Sequence, residues 1–285
     1  MSSGAKIEQI IRFTTDAVGL ERTFRFFQAV FQIISSYPAV FSIFLAVLDF
    51  GTAKAHAPAE TLSILLALRQ RMNLGRRFFR LLRFVESFHA AQKLYVSIAP
   101  SRQAGEKQQS TPAQPEAWLD VFARTFNGMY LLLDAPAIVS ELKIAGFQLW
   151  SPEWDRVVMI EAQRFWLFAL ACGALSSFVK MQRLRAARPA KVVVDGSGAE
   201  KTRQNTTVAT VNEKEEAAKI EERARTKKLH GLARNVVANS LDIILPGVVL
   251  GWIDASPGTV GLAMLVTTIL TGMDAWERCG REVSG

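Results

Sequence analysis

Three stretches of this chain carry no charged residue: Phe26 to Leu48, Phe165 to Val179 and Ala255 to Met273, of 23, 15 and 19 residues. At a rise of about 1.5 Å per residue, helices over them reach roughly 34, 22 and 28 Å, against a hydrocarbon core about 30 Å thick. A chain that carries them must bury them in a bundle or give them to lipid. The rest of the composition favours lipid: 49% of residues are hydrophobic, 21% charged, the mean hydropathy is +0.15, and the net charge is +8 with a pI near 9.7. Such a chain is too apolar to stay disordered. Two cysteines in 285 residues exclude a disulfide-stapled class, and with Cys172 inside an apolar run a bridge to Cys279 is not expected.

The runs differ in kind. Phe26 to Leu48 is broken by Pro38, and Glu21, Arg25, Gln28, Gln32, Ser35, Ser42 and Asp49 share a sector about 120° wide at 100° per residue. This predicts one or two amphipathic helices with a break near Pro38. Phe165 to Val179 is apolar all round, with Trp166 at one end and Lys180, Arg183, Arg185 and Arg188 after the other, as in an anchored span; a buried core helix is the alternative. At the C-terminal end, Leu241 to Trp252 and Thr259 to Met273 flank a break containing Pro257 and Gly258, which predicts a helical hairpin. Gly247 and Gly251 form a GxxxG there, a helix-packing or self-association spacing.

Ala67 to Phe88 is the strongest amphipathic segment. Arg69, Arg76, Arg80 and Arg83 share a stripe about 60° wide, and Leu74, Phe78, Leu81, Leu82, Val85 and Phe88 lie opposite it. Glu86 is the first acidic residue along the stripe, so the pairing usual on a solvated helix is missing. These ten residues are expected to form a membrane-binding face, apolar side in the bilayer interface and arginines among anionic lipid headgroups, with a bundle helix carrying a solvated basic face as the alternative. Nucleic acid is not expected as a partner, because the aromatic residues face away from the arginines and could not stack bases beside phosphate contacts.

The fold class is all-α, a membrane-associated helical protein with N-terminal amphipathic helices and one to three C-terminal apolar segments, spanning or re-entrant. The parts are an amphipathic region 1–99, a polar Pro-containing loop 100–116, a helical region 117–187 with the apolar run, a linker 188–211, and a region 212–285 in which a charged helix precedes the hairpin 241–273. No metal or cofactor is implied. His56, His89 and His230 stand apart without neighbouring ligands, and no nucleophile elbow, phosphate loop or dinucleotide motif occurs, so catalysis is not expected.

Taken in order, several pieces resemble the peroxin eleven family of peroxisomal membrane proteins. They are Arg22, Arg25 and Gln28; Leu74, Gly75, Arg76 and Arg80; Tyr130 with Asp134; then Arg234, Asn235, Asp242, Pro246, Gly251 and Trp252; and finally Gly261 and Trp276. The resemblance implies a protein of the peroxisomal membrane that elongates it by inserting an amphipathic helix, promoting proliferation and division. A pore for small metabolites is the alternative. The implied partners are anionic lipids, further copies of the chain, the peroxisomal membrane-protein import receptor and the organelle division machinery. Both termini would be cytosolic, whereas the basic flank after Val179 puts the central linker there. With only two spans these two expectations conflict.

Overall fold

The computed structural model describes residues 3–51, 57–99, 114–142, 144, 150–186 and 206–284. Among them the secondary structure is helical: α1 (Ser3–Thr15), α2 (Ala17–Ser36), α3 (Pro38–Gly51), α4 (Pro58–Phe78), α5 (Arg83–Ile98), α6 (Pro115–Leu142), α7 (Pro152–Ala186), α8 (Thr206–Asp242), α9 (Ile244–Val249) and α10 (Pro257–Ser284). Most of loop 100–116 and of linker 188–211 lies outside the described residues, as does His56.

Local chemistry sets the starts. Pro38, Pro58, Pro115, Pro152 and Pro257 each open a helix, where the missing N–H is not needed and φ is already helical. Asp16 caps α2 by accepting from the Val18 and Gly19 amides. At Tyr37 and Pro38 the chain turns by 104° between α2 and α3, so the proline break expected near 38 is a sharp bend.

Two expectations change. The helix read through Ala67 to Phe88 is interrupted at Phe79–Leu82, and the charged helix expected from 212 runs as one helix from Thr206 into the apolar hairpin arm at Asp242. At the first site, tight bonds from Arg80 to Arg77, Leu81 to Phe78 and Arg83 to Arg80 replace the α-helical ladder.

Antiparallel packing assembles the bundle. Along α6 and α7, Glu116 pairs with Arg183, Asp120 with Lys180, and Tyr130 stacks on Trp166 at 5.2 Å. The α5 helix lies on α6, with Ser87 bonded to Asn127 and Tyr95 against Trp118. On the other side, α2 packs between α4 and α10, and α8 bridges α7 and α10. Three segments are long and apolar enough to cross a membrane: α7, Lys219–Val249 over α8 and α9, and Pro257–Val283 on α10.

Candidate membrane-contact surface and its buried charge network

Beside an apolar core, this bundle buries charged residues and exposes large apolar ones. Glu21, Arg25, Gln32, Arg76, Asp134 and Asp242 are buried, while Phe27, Ile43, Leu82, Trp154, Leu175 and Ile269 are exposed. The expected polar sector of α2 therefore faces inward, as Glu21, Arg25 and Gln32 show.

Arg76 and Arg80 of the arginine stripe do the same, together with Arg77, which lies outside the stripe. Arg77 and Arg80 share one carboxylate: Arg77 Nη2 is 2.9 Å from Asp134 Oδ1 and Arg80 Nη2 donates to Oδ2 at 2.8 Å. Arg77 also pairs with Glu141 and donates to the Asp134 carbonyl at 3.3 Å. The Arg80 guanidinium lies 5.2 Å over the Tyr130 ring, adding a cation–π contact. Arg76 is 7% exposed and donates to Asn73 Oδ1 at 3.3 Å, with Glu21 among its electrostatic neighbours. Glu21 in turn meets Arg22 at 3.5 Å.

A second group ties α2 to the hairpin. Arg25 pairs with Asp242 and donates to Thr267 Oγ1 at 3.1 Å, while Thr267 donates to Asp242 Oδ1 at 2.6 Å. Asp242 and Thr267 belong to two of the membrane-crossing segments, where an unpaired charge would be costly. Partners from three helices are what make this buried pair tolerable.

The sequence-derived surface is thus distributed as follows. Phe78, Leu81, Leu82 and Val85 point outward, and Leu82 is 71% exposed; Leu74 is buried and Phe88 is half-buried against Gly128. Arg76 and Arg80 face the interior, whereas Arg69 and Arg83 lie half-buried at the two ends of the stripe. Gly247 lies in α9, where a Cβ would come within 2.5 Å of Ile253 in the same chain. Gly251 follows the helix with φ of 72° and open space around it, so the GxxxG is not one helical face and Gly251 serves the turn. Sequence reasoning singled out Asp134 and placed Glu21 and Arg25 in one sector, but it did not join them to the stripe. Glu141 went unnoticed, since its only signal is a charge near the end of an apolar helix. Cys172 and Cys279 are free thiols, and among the described residues no His, Cys, Asp or Glu group could hold a metal ion.

Paired charges inside and apolar side chains outside, with three segments of crossing length, define an all-α membrane-associated protein. Residues 7–276 match the family described as Peroxisomal biogenesis factor 11 (PEX11), and the chain belongs to that family. Neither a curated protein nor a solved structure matches it. Membership carries a role in peroxisome biogenesis and a peroxisomal location, in a family not known for enzymes.

Proposed function

We propose that the chain elongates the peroxisomal membrane by inserting the outer face of the α4–α5 junction into one leaflet, and so promotes proliferation and division. The carrying observation is the direction of that junction: Phe78, Leu81, Leu82 and Val85 project outward while Arg77 and Arg80 are drawn inward to Asp134. In water this arrangement exposes four large apolar side chains, each worth about 1.5–3 kcal/mol on burial, so lipid is the environment that stabilises it. Side chains pushed into one leaflet expand it relative to the other and favour a tubule. Arg69 and Arg83, at the ends of the stripe, remain for anionic headgroups. Many copies are needed to bend a membrane, so self-association belongs to the same reading.

The test is Phe78→Asp with Leu82→Asp in the full chain. A charge at each position costs several kcal/mol in lipid, so elongation of peroxisomes in cells and tubulation of anionic vesicles are lost. The chain itself stays in the membrane pellet on alkaline extraction, because α7, α8–α9 and α10 are untouched. Normal elongation by the double variant would sink the reading.

A further inference from the structure

A groove of about 400 Å³ lies between α5, α6, α7 and α8, bordered at one end by Arg83 at the start of α5 and by Trp166. Its α7 wall runs from Trp166 to Ser177, about 17 Å along the helix, roughly half the thickness of a hydrocarbon core. That wall falls inside the charge-free run of α7, yet the facing walls are polar: Arg83 and Glu86 from α5, Asp120 and Arg124 from α6, Asn235 and Asn239 from α8. Polar groups at this depth mark a path or a bound polar group, because lipid tails cannot satisfy them.

The charges are not all internally spent. Asp120 is held by Lys180 and Ser176, and Arg83 stands 3.8 Å from Glu86. Arg124 is exposed and pairs with no carboxylate among the described residues, and the Asn235 and Asn239 carboxamides make no hydrogen bond there. Beyond Glu86, the outward residues of α5 continue polar through His89 and Lys93. Its volume would hold roughly a dozen waters.

We infer that this groove lets phospholipid headgroups pass between the two leaflets by shortening the apolar barrier to about half a hydrocarbon core, their acyl chains remaining in the adjoining hydrocarbon. The chemistry matches a zwitterionic headgroup: Arg124 is a free cation for the phosphate, Glu86 an exposed carboxylate for the amine, and the asparagines offer both donors and acceptors. The inference does not depend on leaflet insertion at Phe78 and Leu82, and it can fail separately.

The full chain, reconstituted into phosphatidylcholine vesicles with a trace of phosphatidylcholine carrying a dithionite-reducible fluorophore on a short acyl chain, is treated with dithionite, which bleaches the outer leaflet alone. The expected result is bleaching of the inner-leaflet pool while an entrapped small dye is retained. Arg124→Gln and Asn239→Leu, both on residues that are not buried, each slow that phase roughly tenfold, the loss expected for one charge-assisted contact or for filling the groove with an apolar group. An inner pool that stays protected overturns the inference. So does release of the dye with bleaching, which would make the groove a solute path, and so does bleaching that neither variant slows.

Discussion

Arg25 and Asp242 are 217 residues apart in sequence, and their contact with Thr267 is the point where the amphipathic half of the chain is tied to the C-terminal hairpin. Neither residue is conspicuous alone. Each was legible as a polar position in an apolar neighbourhood, but no spacing rule reports which distant carboxylate an inward arginine will meet. Arg25→Glu sets two carboxylates together at this site and Asp242→Arg two cations, each leaving buried charge uncompensated at about 3–5 kcal/mol. Either variant should therefore lower the thermal unfolding midpoint in detergent and expose α2 to protease. Combining the two restores opposite charges at the same positions, and the midpoint should recover most of the loss. Additive damage in the double variant would mean that the two residues do not act as a pair.

At the scale of elements, the α4–α5 region shows both the reach and the limit of periodicity. Repetition at 100° per residue set the arginines opposite Phe78, Leu81, Leu82 and Val85 on one continuous helix, and in the structure Arg76 and Arg80 do turn inward while those four side chains are exposed. What periodicity could not see is the interruption at Phe79–Leu82. No proline or glycine marks it. The interruption lies where Arg77 and Arg80 share Asp134 and Arg77 reaches Glu141, contacts made by α6, an element 35 or more residues further on. The tertiary pairs hold the junction in a shape its own sequence does not request. Asp134→Ala removes the shared carboxylate, leaving the Arg80 guanidinium without a carboxylate partner and Arg77 with Glu141 alone. Amide hydrogen exchange at residues 79–85 should then accelerate by about tenfold or more, while exchange in the middle of α7 stays unchanged. Equal rates at 79–85 in the variant would show that the break is intrinsic to the segment.

For the whole molecule, the contact of α1 with α10 puts the two ends of the chain together and so requires an even number of crossings. Gln9 donates to the Trp276 carbonyl at 2.8 Å, Arg12 meets Glu282 at 3.3 Å, and Arg278 reaches Asp16 at 2.6 Å, so α1 sits at the C-terminal end of α10. At the other end of α10, Gln32 donates to the Pro257 carbonyl. The α2 helix therefore runs the length of α10 in the opposite sense. Three crossings, α7, α8–α9 and α10, would by themselves leave α1 on the face opposite the C-terminal end of α10; with the bent α2–α3 pair as a fourth, α1, the basic C-terminal end of α7 and the C-terminal end of α10 fall on one face of the membrane. The positive-inside rule makes that face cytosolic, through Lys180, Arg183 and Arg185. The turn from Trp252 to Ser256 lies on the opposite face. Protease treatment of intact organelles should cleave tags placed within 196–200, before Ser3 or after Ser284, and should spare a tag inserted at Asp254 until detergent is added. Cleavage of the Asp254 tag in intact organelles would place that turn in the cytosol, and α10 would then have to re-enter the leaflet it started from instead of crossing.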